Sequence, residues 1–462
     1  MSSPSSNLDT PEYLMSSLSH SSAVPVASSN AFVLKRHSSW MNALGLLGVF
    51  LIIIPQINIV SVPGQNAGLR IDDFLIATSW LLIIWHIVNS GGRLIGSQGY
   101  LTFIGISALS VVVARIDGWH GNILYPIRLV EYSTFLYFGY FFSRSFKIRG
   151  MLIIILLVEG VVMIAQALHL LGGFSVTGYV SSTGRVIGLT SGPWEIGYIL
   201  NLVYVALLQD AHERRANTGL LTIVVAALLI LTQSRSAEFS FLVVFLLYTA
   251  STRDVVTVVK SALVLGIVFL AATTFLLRDI LARNGHLLTI RNLSYVLALY
   301  RDIHPPSHFS AWQFRHVPHV QGVDPSWLIR STHWVIAFKD WAARPLLYLT
   351  GLGFGVFGPA LDGGWLRLLV ETGLIGLLTY VRFLVNIWKN LPFGFYLSLV
   401  TAINMLFIDM QLSYKGMALL LFLIGYYGGR SRWHRLHSTR ADSTPSSSTD
   451  GNGSEALCRE PN

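Results

Sequence analysis

Charge is what this sequence has least of. Of its 462 residues only 12% are Asp, Glu, Lys or Arg, against about a quarter in an ordinary soluble domain. Hydrophobic residues make up 53%, and the mean hydropathy is +0.57. That balance excludes a chain solvated throughout by water, so a lipid bilayer must surround most of it. Cysteine occurs once, as Cys458, so no internal disulfide can form. No HExxH metal motif is present, and no Lys-Ser/Thr follows the glycines of GLGFG (351–355) to make a nucleotide-binding loop, so that stretch reads as a tight turn. Internal repeats of the kind that mark many transporters are absent as well. The net charge of +9 does not call for nucleic acid, because Lys and Arg in a membrane protein first set its orientation.

What is present is a series of apolar runs. A membrane-spanning helix needs about 20 mostly apolar residues, and candidates fall near 40–60, 73–89, 99–114, 124–142, 150–171, 194–208, 218–232, 237–250, 261–277, 364–381, 393–410 and 416–428. The expected fold is therefore an all-α polytopic membrane protein of about twelve transmembrane helices. Residues 1–37 are serine-rich and read as a disordered cytosolic lead. The run from Trp40 to Val60 is too long for a signal-peptide core and is taken as the first helix. Helices 1–9 occupy 38–277, a large external loop 278–363, helices 10–12 364–428, and a disordered cytosolic tail 429–462.

Basic residues give an independent reading of orientation. With the N-terminus cytosolic, inside segments carry Lys35, Arg36, Arg93, Arg144, Lys147, Arg149, Arg214, Arg215, Arg253, Lys260, Arg382, Lys389, Arg430, Arg432, Arg435 and Arg440. The short outside segments carry Arg70, Arg115, Arg128, Arg185, Arg235 and Lys415. That excess places both termini in the cytosol. The long loop 278–363 is also basic, but long segments translocate regardless of charge.

Under this topology the unusual residues collect at the outer face. Arg128 and Glu131 open helix four with the i,i+3 spacing of an ion pair. Arg185 precedes helix six and Glu195 begins it, while Arg235 sits in the turn between helices seven and eight. Arg330, Asp362 and Arg367 flank or end the large loop, with His333 and Trp365 beside them as candidate substrate contacts. Ionisable groups at membrane depth are costly and mark function. Guanidinium grips phosphate oxygens two at a time, so Arg185, Arg235 and Arg330 point to a lipid-linked phosphate or diphosphate. His304/His308 and His316/His319 have tolerable metal spacing but no supporting ligands, so no metal or other cofactor is expected.

Several blocks resemble the O-antigen ligase and O-antigen polymerase superfamily, which includes the Wzy-type polysaccharide polymerases. LTQSRSA (231–237) is similar to its L-T-x-S-R signature at the end of an apolar helix. IRSTHWVIAFKDWAARPLLYLTGLGFG (329–355) resembles the block that closes its external loop, and DGGWLRLLVETGLIGLLTYV (362–381) the Glu-x-Gly-x-x-Gly segment after it. The likeness runs from about residue 40 to 430. Where ligases of the superfamily place a histidine, this chain has Asp362, which favours a polymerase of repeat units over a ligase.

The resemblance implies a GT-C-like fold in the bacterial inner membrane and metal-independent glycosyl transfer between undecaprenyl-diphosphate-linked glycans, donor and acceptor. Flippase and chain-length regulator proteins would be partners, and nucleic acid would not. Arg185, Arg235 and Arg330 would stabilise the departing diphosphate, and Asp362 or Glu195 would take the acceptor's proton. Neighbouring arginines weaken a carboxylate as a base, whereas burial strengthens it. Ligation of a finished glycan, another transferase using a lipid monophosphate sugar, and transport are the alternatives.

Overall fold

The computed structural model describes residues 39–55, 58–61, 68–90, 98–174, 185–252, 290–304, 325–358 and 361–442, with Leu263 and Gly266. The lead 1–37 and nearly all of the expected ninth span, 261–277, lie outside the described residues, as do His308, His316 and His319. Among the described residues there are thirteen α-helices: α1 (Ser39–Ile53), α2 (Ile71–Ser90), α3 (Gln98–Ile116), α4 (Leu124–Ser145), α5 (Ile148–Ala167), α6 (Pro193–Arg214), α7 (Gly219–Thr232), α8 (Arg235–Thr252), α9 (Ile290–Asp302), α10 (Pro325–Ala342), α11 (Gly364–Asn390), α12 (Gly394–Asn404) and α13 (Tyr414–Asp442). The chain is thus essentially all helical, as its apolar runs require. Helices α2, α3, α5 and α11 are long and apolar enough to cross a membrane, and α1, α7 and α12 are apolar but shorter.

Three boundaries depart from expectation. The apolar run 40–60 is not one helix, because Pro55 has no N–H to donate and α1 stops at Ile53. After it, β1 (Asn58–Ser61) pairs antiparallel with β2 (Gly68–Arg70), a small hairpin that the apolar pattern does not announce. At the other end α13 continues to Asp442, into the expected tail, since no Gly or Pro interrupts 430–442.

Contacts between helix ends sort the described helices into an alternating bundle with two faces. At one end, Lys415 Nζ donates to the carbonyls of Ile53 (3.2 Å) and Leu189 (2.8 Å), joining α1, the segment before α6, and α13. Tyr132 Oη donates to Leu412 O (3.1 Å), and Asn122 N to Phe354 O (2.9 Å). At the other end, Ser145 Oγ meets Asn42 Oδ1 (2.5 Å), Arg149 pairs with Asp210 (3.7 Å), Arg430 with Glu213 (3.5 Å), and Ser251 Oγ meets Tyr396 Oη (3.2 Å). We call these the first and second faces. α8 runs toward the second face, whereas α10 packs at the first.

The core pair is α4 against α13. A Cβ at Gly139 would sit 2.0 Å from the Phe422 carbonyl oxygen, and one at Gly425 2.0 Å from that of Leu136. Only hydrogen fits there, and the two backbones come close enough for extensive packing.

α11 is broken at Gly373 (φ 68°, ψ −172°). The backbone groups exposed by the break are taken up by the chain that leads from α10 into it. Leu352 N donates to Val370 O (2.8 Å) and Gly353 N to Glu371 O (3.1 Å), while Leu374 N donates to Tyr348 O (2.9 Å) and Ile375 N to Leu349 O (3.2 Å). Irregular backbone beside an apolar helix is tolerated when protein groups satisfy it in this way.

The two-faced bundle has a direct test. In a Cys458→Ser background, His120→Cys in the α3–α4 turn and Ala216→Cys in the α6–α7 turn, both exposed, should react with a membrane-impermeant maleimide from opposite sides. Labelling of both from one side would contradict the alternation.

Candidate functional site

The first face is built around a charge with no water. Arg367, one turn into α11, is wholly buried, with a side-chain exposure of 0%. Its Nε donates to Glu371 Oε2 (2.9 Å), Nη1 to Asp409 Oδ2 (2.8 Å), and Nη2 to the Gly358 carbonyl. The two carboxylates in turn organise backbone. Glu371 accepts from Gly355 N (3.0 Å) and Phe357 N (3.3 Å), and Asp409 from Leu361 N (2.9 Å), Asp362 N (3.2 Å) and Gly363 N (3.2 Å). The GLGFG turn, with Gly351, Gly353 and Gly355 at φ 79°, 100° and 83°, is wrapped onto this cluster. A Cβ at Gly351 would fall 2.3 Å from the Glu371 carbonyl, which leaves glycine as the residue that fits. Arg367 is therefore the anchor of the loop and not a surface for ligand.

That anchoring presents Asp362. Its backbone is left-handed (φ 58°), its N–H is held by Asp409, and its carbonyl accepts from Trp334 Nε1 (3.2 Å). Both peptide groups being pinned, the side chain has one direction to take. It meets Arg330 Nε of α10 at 3.5 Å, in a pair with side chains 30% and 34% exposed. Burial pushes the Asp362 carboxyl above the usual carboxylate range, against the opposing pull of Arg330. His333 lies half-buried on the next part of α10. Trp365 donates to Ala402 O (2.9 Å) and its N–H to Met405 O (3.2 Å), fastening the end of α12 to the start of α11.

Glu195 is differently placed. In the first turn of α6 and with no exposure, it accepts four hydrogen bonds: from Ser191 N (2.9 Å) and Oγ (2.7 Å) on one oxygen, and from Ser413 Oγ (2.8 Å) and Lys415 N (3.0 Å) on the other. A carboxylate so saturated ties α6 to α13 and has its hydrogen-bonding capacity taken up within the fold. Arg128 is likewise engaged. It pairs with Glu131 (2.7 Å), as the i,i+3 spacing predicts, and also with Asp73 (2.6 Å). Arg70 joins them, 3.5 Å from Asp72 and 3.3 Å from Asp73, with its guanidinium 4.1 Å over the Tyr414 ring.

Arg185 and Arg235 occupy a separate corner, at the turn between α7 and α8. Arg185 Nη2 donates to Gln233 O (2.9 Å), and Gln233 is held left-handed (φ 52°) as the C-cap of α7. Both arginines lie within electrostatic reach of one carboxylate, Glu238. Both guanidiniums thus bear on the same acid at the α7–α8 turn, whereas Arg70 and Arg128 share Asp72, Asp73 and Glu131. Among the described residues no group of three or more His, Cys, Asp or Glu could hold a metal ion.

Asp409, Glu371 and Lys415 are the residues whose role was not recognised in advance. Each is an ionisable residue inside or beside an apolar run (LFIDMQL, LLVETGL, LSYKGMA), which is itself the signal that such groups are structural or functional. Comparison with protein-family models and with curated proteins finds no match to this chain. The geometry defines a helical protein with helices long and apolar enough to cross a membrane, whose first face carries a buried charged cluster, and its function is inferred from that face.

Removing the anchor and removing the exposed pair should differ. Arg367→Met strands two buried carboxylates and should cost about 3–5 kcal/mol. Thermal unfolding of detergent-purified protein should show a large fall in Tm for Arg367→Met and little change for Arg330→Met. Equal effects would mean that Arg367 is not the anchor.

Asp340 on α10 offers a second test. It is buried, and neither carboxylate oxygen has a hydrogen-bond partner. Burial pushes its carboxyl up to about 6, above the ~3.9 of an unfolded aspartate. The fold thus favours the neutral acid: the full benefit holds below pH about 4 and is lost as the pH rises toward 6. Asp340→Asn should stabilise the protein by about 2 kcal/mol at pH 7.5 and by progressively less as the pH falls toward 4. A gain that is the same at both pH values would contradict this.

Proposed function

We propose that the protein polymerises undecaprenyl-diphosphate-linked oligosaccharide repeat units at the outer face of the bacterial inner membrane. The observation that carries the reading is Asp362, an acid at the first face whose backbone is held by hydrogen bonds on both peptide groups, whose side chain is a third exposed, and whose carboxyl is raised by burial. A general base needs that combination of reach and proton affinity. The first face corresponds to the outside in the orientation that the basic residues favour. The twelve-crossing, GT-C-like topology belongs to the same reading.

In this reading the acceptor hydroxyl gives its proton to Asp362 as its oxygen bonds to the anomeric carbon of the donor. The bond from that carbon to the diphosphate oxygen breaks, and undecaprenyl diphosphate departs with the electron pair. Arg185 and Arg235 at the α7–α8 turn receive the diphosphate, to which a guanidinium can offer bidentate hydrogen bonds. Arg330 orients Asp362 and faces the same developing charge. Glu195, Arg128, Arg367 and Trp365 hold the elements that carry these groups. No nucleotide is needed, because the donor brings its own leaving group.

Two measurements test this. A deletion strain should accumulate lipid-linked single repeats and lack long chains; accumulation of long lipid-linked chains would favour a ligase instead. On purified protein, Asp362→Asn should remove polymer at every pH. The wild-type rate should fall on the acid side with an apparent pKa above the ordinary ~3.9 of aspartate. Full activity in Asp362→Asn would exclude it as the base.

A further inference from the structure

We propose that the indoles of Trp327 and Trp334 form the platform on which the acceptor sugar stacks, next to the Arg330–Asp362 pair. The inference rests on the glycosyl-transfer reading and adds to it a subsite and its ligand class, a neutral pyranose ring of the lipid-linked glycan.

Trp327, Arg330 and Trp334 recur in α10 at i, i+3 and i+7, so they share one face of the helix. That face is turned to the 361–363 loop. Trp334 Nε1 donates to Asp362 O (3.2 Å), and a Cβ at Gly363 would lie 2.7 Å from the same nitrogen, so the indole edge rests directly on the loop. The two indoles meet edge to face, with centroids 6.0 Å apart and planes 80° to each other. Two rings at nearly a right angle make a corner, and the ion pair beside it leaves a third of each side chain open. Both indoles are themselves only half-buried.

Trp334 also packs against the apolar cluster of Ala337, Leu352 and Leu361, yet it stays only half-buried beside an ion pair that is a third open. A core would bury the rings, and a lipid-facing surface would not carry an open ion pair between them. A pyranose matches it: its C–H face is apolar and flat, and its rim carries hydroxyls that both donate and accept. The indole takes the C–H face, the carboxylate accepts from one hydroxyl, and the guanidinium donates to another. Because Arg330 is already balanced by Asp362, the corner suits a neutral ring better than a second diphosphate. A ring seated there brings a hydroxyl to Asp362, which is what an acceptor requires.

The test uses purified full-length protein and one probe, the repeat-unit oligosaccharide released by mild acid from the lipid-linked intermediate of the deletion strain. Binding is read by saturation-transfer NMR, and polymerisation is measured in parallel. Trp327→Ala should weaken probe binding about five- to tenfold and raise the acceptor KM more than it lowers kcat, while Trp327→Phe should stay within about twofold of wild type. Trp334→Phe, which keeps a ring on Gly363, guards against loss of fold, and Trp388→Ala, exposed near the far end of α11, should bind as wild type does. If wild type binds and polymerises while Trp327→Ala binds equally well, the platform is overturned and the glycosyl-transfer reading stands. If no lipid-linked repeat accumulates and wild type does not polymerise, that reading falls and takes the platform with it.

Discussion

A guanidinium with no access to water has to be neutralised and hydrogen-bonded in full, and much of the first face follows from that requirement at Arg367. Two carboxylates from sequence-distant places, Glu371 on α11 and Asp409 after α12, close on it. Each then has lone pairs left over, and these are filled by backbone N–H groups of the 355–363 segment. A buried ion pair of this kind adds little net stability beyond what an apolar substitute would give, but breaking it is expensive. Its effect here is to specify the path of a glycine-rich chain and so to hold Asp362 in a left-handed conformation facing α10.

The same logic separates the charged groups of the face by what they are free to do. Glu195 spends one oxygen on Ser191 just before α6 and the other on Ser413 and Lys415 at the start of α13, and Arg128 is matched by Asp73 and Glu131. Arg330 and Asp362 are matched to each other but stay partly open, and Arg185 and Arg235 both bear on Glu238 at the α7–α8 turn. A transferase that moves glycan between lipid diphosphates needs one open base and positive charge for the departing diphosphate, and Asp362 and these two arginines are the groups proposed for those roles.

Much of the bundle was legible in the sequence because apolar runs of sufficient length must be helices in lipid. The turn at LTQSRSA and the pairing of Arg128 with Glu131 were equally local and equally legible. Other features depend on contacts across long stretches of chain. The break at Gly373 is stable only because residues 348–353 arrive to pair with it, and nothing within VETGLIG says so. Glu195 looks like a helix-opening acid until Ser413, just before α13, and Lys415 in its first turn saturate it. Whether arginine or burial would govern the proton affinity of Asp362 was undecidable from residue types, since burial is a property of the packed loop; in the fold, burial wins.

The central claim is that Asp362, held by the Arg367 cluster, is the base of a glycosyl transfer between lipid-linked glycans. The direct measurement is reconstitution of the purified protein in liposomes with undecaprenyl-diphosphate-linked repeat unit as the only substrate, following chain length and released undecaprenyl diphosphate together. The account predicts long chains with one diphosphate released per bond formed, and neither product from Asp362→Asn at unchanged thermal stability. Unextended repeat units with wild-type protein, or equal elongation by Asp362→Asn, would contradict it.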